Sequence, residues 1–243
     1  MRHTLPLALA ALILGGCASH KPEDLDGTWI NQDAIDSAVK SGRITQTLNK
    51  HGIALEWKLD VAKQAVSYTN GFEAVDGHLV TAKEPWEVRF YGDRNQQLGL
   101  SGDTLTTNDP ELGKQRFERS KEPSATTAPL GSSFEQALNR AYFGGEWKIV
   151  EGPGQGGVVR FAENGSVTGL PDLDRYAVCL AGDCADMGGA NDSLWLERNE
   201  RGSPWIFKRE GDQLEIMQAV NQALPDEKPQ LAPGKRQWVL ERD

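Results

Sequence analysis

The residues with most scope for chemistry in this chain of 243 are its three cysteines. Cys17 closes the stretch Leu14-Gly15-Gly16-Cys17, directly after an apolar run. Cys179 and Cys184 flank Leu180-Ala181-Gly182-Asp183. That pair could form a structural disulfide, or serve as a redox or metal pair. The spacing is not Cys-x-x-Cys and no histidine or further cysteine is near it, so we read a disulfide of the kind that suits an oxidising compartment. Its loop is short, which places its entropic contribution at the low end of about 2–4 kcal/mol.

Other candidate chemistry has plainer readings. Gly152-Pro153-Gly154-Gln155-Gly156-Gly157 spells a dinucleotide-type glycine pattern but runs into Val158-Val159-Arg160-Phe161, which is strand-like. A pyrophosphate site needs a helix there, so a hairpin loop is expected. Asp183, Asp186 and Asp192 lack EF-hand spacing and read as a solvated acidic loop. His20, His51 and His78 form no zinc spacing, and His51 beside Gly52 reads as a charge at a helix end. There is no Gly-x-Ser-x-Gly elbow, and carboxylates are too plentiful for a glycosidase pair to be singled out. No cofactor or metal is expected. Trp57, Trp86, Trp195, Trp205 and Trp238 could line a ligand cavity but read as core.

The surroundings of Cys17 give it a specific role. Met1-Arg2-His3 is a positive start, and Leu5 to Leu14 is apolar apart from Pro6. Residues 1–16 read as a secretory signal; the run is shorter than the about 20 residues a membrane span needs. Its end resembles the lipobox of bacterial lipoproteins. In that family the cysteine sulfur carries a diacylglyceryl group, the chain is cut before the cysteine, and the new amine is often acylated. The resemblance implies a lipid anchor on Cys17, firm because each buried methylene adds about 0.8 kcal/mol and two or three chains are held. Ala18, rather than Asp, after the cysteine implies the periplasmic side of the outer membrane, with inner-membrane retention as the alternative. Residues 17–25 are then a lipidated tether; Ala18 to Leu25 reaches roughly 28 Å fully extended.

The formal charge is −9 and no basic run is present, which argues against nucleic-acid binding. Apolar residues make up 38%, with 26 glycines besides, so a core can form. The length suits two domains.

The patterning predicts a mainly β fold with minor α. Domain 1 spans 26–120 and domain 2 spans 134–243; a Pro/Ser/Thr-rich linker, 121–133, joins them. Each is an antiparallel sheet or small barrel with a short helix. Gly27-Thr28-Trp29 opens a strand, and Asn31 to Lys50 has helical spacing interrupted at Ser41-Gly42. Short alternating runs follow from Ala54 to Arg119, separated by Gly and Asp turns. Phe134, Leu138 and Tyr142 mark a helix face, with Ser132 or Ser133 as cap. From Glu146 the pattern is again strand-like, and Gln222 to Lys235 reads as an irregular loop before a last strand.

The two halves share a frame. Gly27-Thr28-Trp29 matches Gly145-Glu146-Trp147, Gly102-Asp103-Thr104-Leu105 matches Gly211-Asp212-Gln213-Leu214, and Phe117-Glu118-Arg119 matches Leu240-Glu241-Arg242. An opening Gly-x-Trp with a closing arginine resembles the frame of lipocalin-type barrels. There the tryptophan plugs one end and the arginine lies across its face, because first and last strands of an up-and-down barrel are neighbours. The resemblance implies pairing of Trp29 with Arg119 and of Trp147 with Arg242. Val158 to Gly169 is also similar to the small β-domains of META-type envelope proteins.

These readings lead to a non-catalytic interaction or scaffolding protein of the cell envelope, held by its lipid, with an envelope protein as partner. The alternatives are a lipocalin-like module for a small apolar ligand and an envelope hydrolase with an unrecognised site.

Overall fold

The structure is a computed structural model. It describes residues 20–51, 54–92, 95–109, 113–125 and 127–242, without the side chains of 50, 51 and 109. The fold is mainly β, in two antiparallel sheets with a few short helices, as the patterning predicts.

The first sheet is a closed barrel in sequence order. Its strands are β1 (Gly27–Ile30), β2 (Glu56–Asp60), β3 (Ala65–Thr69), β4 (Ala74–Val80), β5 (Trp86–Phe90), β6 (Asn95–Ser101), β7 (Thr104–Asp109) and β8 (Gly113–Arg119). Antiparallel pairing of β1 with β8 closes it. Alternation aims every second side chain inward, and Trp29, Trp57, Leu59, Val66, Leu79, Trp86, Val88, Leu98, Leu105 and Phe117 fill the interior. Trp57 stacks on Tyr68 at 4.8 Å between ring centroids.

Between β1 and β2 the chain forms a helical hairpin, α1 (Gln32–Ser41) and α2 (Ile44–His51). Asn31 caps α1 by accepting the Ala34 N–H at 3.1 Å, and its amide donates to the Ala54 carbonyl at 3.1 Å, tying the hairpin's two ends together. Gly42, at φ +67°, ends α1. No side chain fits there: a Cβ would lie 2.2 Å from the Arg209 carbonyl oxygen.

The second sheet has eight strands: β9 (Glu146–Glu151), β10 (Val158–Phe161), β11 (Val167–Thr168), β12 (Arg175–Val178), β13 (Asp192–Arg198), β14 (Arg201–Glu210), β15 (Gln213–Asn221) and β16 (Leu231–Arg242). Here too the first strand pairs with the last, β9 with β16. The edge strands β11 and β12 approach each other but share only the bridge Ser166–Arg175, which leaves a seam. Two helices accompany this sheet, α3 (Ser132–Phe143) before β9 and α4 (Gly182–Gly188) before β13.

The hairpin α1–α2 belongs to the first half by sequence, yet it contributes to the second core. Ala34, Ile35, Ala38, Ile44 and Leu48 pack with Phe134, Leu138, Tyr142 and Phe143 of α3 and with Trp147, Phe207, Leu214 and Leu240 of the sheet.

Several local expectations need correction. The cap position of α3 is Gly131, which has no side chain to cap with, and the helix starts inside the expected linker. Residues 222–235 are not wholly irregular: β15 and β16 extend as a two-stranded arm, with Pro233 opposite Ala219. Beyond Gln218 and before Val239 these strands lack their outer neighbours β14 and β9, so Pro233 interrupts no ladder. The loop between Cys179 and Cys184 leads into a helix, α4. A 3₁₀ turn, Pro22–Leu25, occupies part of the expected tether.

Candidate functional site

The residues singled out by the shared frame meet in both halves. Trp29 stands opposite Arg119 in the β1–β8 register, and the guanidinium carbon lies 4.2 Å from the indole centroid. Trp147 stands opposite Arg242, at 4.8 Å. Each indole N–H donates four residues back, Trp29 to the Leu25 carbonyl at 2.9 Å and Trp147 to the Phe143 carbonyl at 2.7 Å. Arg119 donates to the carbonyls of Asp24 and Asp26, and Arg242 to that of Gly144. The shared Gly-Asp supplies the counter-charge: Asp103 lies 4.0 Å from Arg119, and Asp212 lies 3.0 Å from Arg242. Gly27 is glycine because Arg119 lies against it; a Cβ would be 2.9 Å from Nη1.

Cys179 and Cys184 lie at disulfide distance, with Cα atoms 5.4 Å apart. Cys17 precedes the described residues, and so does the lipobox. The side chain of His51, and Gly52, also lie outside them. His20 lies just before the 3₁₀ turn and His78 on β4, and no group of metal-holding residues occurs among the described residues. Trp57, Trp86 and Trp238 are buried, as expected of core. Trp195 is not: it is 38% exposed on the outer face of β13, its ring over Gly202.

The acidic loop reading fails for Asp192. It is buried, and its carboxylate accepts the N–H groups of Ile44 at 3.0 Å and Thr45 at 2.7 Å, capping α2 from 148 residues away. Asp183 and Asp186 do face solvent, both paired with Lys228 of the β15–β16 arm. A second buried carboxylate mirrors Asp192. Glu56 of β2 accepts the Phe134 N–H of α3 at 2.9 Å. Burial raises its pKa, and the bond from Phe134 lowers it in part. Each half therefore caps a helix that enters the shared core. Arg209, also buried, donates to the Tyr142 carbonyl, while the Tyr142 hydroxyl donates to the Gly42 carbonyl at 2.9 Å. Neither carboxylate announces itself in an acidic chain; only the fold distinguishes them.

Two grooves adjoin this joint. One, of about 460 Å³, runs between α2, the β3–β4 turn and α4; Leu48, Leu55 and Leu180 line it, with Phe72 exposed at its rim. The other, of about 270 Å³, follows the seam of the second sheet. Leu138, Tyr176, Val178 and Leu180 give it apolar surface. Glu135, Asn139, Glu163 and Arg175 supply polar groups. Asn139 donates to the Glu163 carbonyl at 3.0 Å, fixing α3 against the β10–β11 turn. Partial enclosure by the groove, and then the charge of Glu56, raise the Glu135 pKa, although the residue as a whole stays exposed. The sequence reading missed this site because its parts come from three separate segments, none with a spacing signature.

The glycine-patterned loop of residues 152–157 is a turn between β9 and β10, where the Ile149 N–H donates to the Gly157 carbonyl at 2.9 Å; a strand, not a helix, follows it. No family model, curated protein or solved structure matches the chain.

Proposed function

We propose that this chain is a lipid-anchored interaction protein of the cell envelope, non-catalytic, held through Cys17 at the periplasmic side of the outer membrane. The lipobox-like Leu14-Gly15-Gly16-Cys17 supports the anchor and the address. One observation carries the interaction role: the first barrel is filled by its own tryptophans and leucines, whereas the second sheet keeps an open seam beside a groove. A filled interior offers little room to a small apolar ligand, and an open strand edge beside apolar surface suits a polypeptide.

The test is site-specific photo-crosslinking in living cells, with the probe placed at Ala177 and, separately, at Phe72. A discrete protein adduct at either position, lost when Cys17→Ser releases the chain from the membrane, is the expected result. Absence of any discrete adduct at both would overturn the reading.

A further inference from the structure

The seam has a direction and a charge, and both bear on what would fill it. On one side β12 pairs with β13 along its whole length. On the other it is held only near its start, by the Ser166–Arg175 bridge and the Tyr176 N–H to Gly165 carbonyl bond at 2.8 Å. The Cys179 N–H donates to the Ser193 carbonyl, on the β13 side. Backbone groups alternate sides along a strand, so Tyr176 and Val178 point theirs at the seam. Among the described residues no backbone bond on that side reaches Val178. Ala177 is exposed and Val178 half-buried, and the groove separates them from Glu135 and Asn139 of α3. The first barrel, being closed, offers no such edge.

The charges around the groove are mostly spoken for. Glu163 is paired with Arg140 at 2.6 Å and Arg175 with Glu197 at 3.4 Å. Glu135, on the groove wall, makes no ion pair among the described residues, and the charge of Glu56 acts on it with like sign. A cation entering the groove meets an uncompensated carboxylate.

We infer that the β12 edge accepts an extended segment of a partner protein as an added strand, with a lysine or arginine of that segment set against Glu135 and an apolar neighbour against Val178 and Leu180. This rests on the interaction reading above and specifies how the partner is held. Main-chain bonds supply the attachment in such a mode, and alternate side chains supply the selectivity.

The test uses the chain from Cys17→Ser onward, with the intact disulfide, and three synthetic hexapeptides: Thr-Val-Lys-Val-Thr-Val with blocked ends, the same with Glu for Lys, and the lysine peptide N-methylated at alternate amides. Backbone hydrogen exchange by NMR reads the site. The lysine peptide should slow exchange at Val178 and bind at least about tenfold more tightly than the other two. Glu135→Gln should erase the preference for lysine over glutamate. Val178→Pro removes the seam-facing N–H, which an edge strand tolerates, and exchanges one half-buried apolar side chain for another; it should abolish binding with the spectrum changed only around residue 178. No binding by the lysine peptide, protection elsewhere, or undiminished binding to either variant would overturn the inference. Cellular crosslinks at Phe72 with none at Ala177 would remove it while leaving an interaction protein.

Discussion

The Glu56 carboxylate of the first barrel accepts the backbone N–H of Phe134, 2.9 Å away in the first turn of the helix that leads into the second sheet. Asp192 of the second sheet does the same for the hairpin inserted in the first barrel. A helix N-terminus has unsatisfied N–H groups and a partial positive charge, so each carboxylate answers both needs at once. The exchange is reciprocal, which makes the two halves mechanically dependent on each other.

Glu56→Ala should cost about 0.5–2 kcal/mol, the usual value of a lost cap. Glu56→Gln keeps an acceptor and should behave differently with pH. Because burial raises the native-state pKa above the ordinary 4.5, the native protein holds more protons than the unfolded chain just above that value. Wild-type stability from this group therefore falls as pH rises through the window between the ordinary and raised values. Glutamine does not titrate, so its stability relative to wild type should rise across the same window. Urea titrations between pH 4 and 7 check this; a difference that is flat or falls with pH contradicts it.

Asp192→Ala leaves two N–H groups of α2 buried without their acceptor. We expect a loss of about 2 kcal/mol. The local signature matters more: amide exchange should accelerate at Ile44 and Thr45 before the barrel strands are affected. Uniform acceleration over the whole chain would argue that the cap has no separate role.

At the barrel closure, Arg119→Lys keeps the charge but loses the planar fork that reaches both Asp24 and Asp26. A loss of about 1 kcal/mol is expected, and about 2 kcal/mol for Arg119→Met, which also loses the contact with Trp29. Gly27→Ala should be at least as damaging as the lysine variant. Its φ is +124°, and the added carbon would displace Arg119. Thermal unfolding and indole fluorescence report all three.

The bond between Cys179 and Cys184 closes a short loop, so Cys179→Ser with Cys184→Ser should cost less than about 3 kcal/mol. Lys228 still holds α4 through Asp183 and Asp186. Adding Lys228→Ala should therefore speed amide exchange in α4 beyond the effect of the double serine variant alone. Equal exchange rates with and without Lys228 would show that the arm does not restrain this helix.

Much of the architecture was legible because it rests on local signals. Alternation and Gly-Asp turns marked the strands, and Ser41-Gly42 marked the break between α1 and α2. The frame of Gly27, Trp29 and Arg119 could be seen because the same residues recur at Gly145, Trp147 and Arg242. Signals that depend on distant partners stayed hidden. Asp192 looks like any loop acid until α2 is placed above it, and Glu56 looks like any strand residue until α3 arrives. Trp195 has the side chain of a core residue, but the pleat aims it outward. Pro233 suggested a loop because nothing local says that its strand lacks a neighbour on that side. The seam groove is the extreme case: Glu135, Glu163, Arg175 and Val178 share no spacing at all.

The inserted hairpin imposes an order in time. A chain made from its amino terminus presents Ile35, Ala38, Ile44 and Leu48 early, but the surface they cover includes Leu240, on the last strand. Contacts of such long sequence separation form slowly. The first barrel can draw its strands together while this greasy hairpin waits, uncovered, for nearly the whole remaining chain. Nascent or truncated forms ending before β16 would then be the species most prone to stick to one another, and a helper that shields α1–α2 during that interval would shape the yield of folded protein more than any residue at the finished surface.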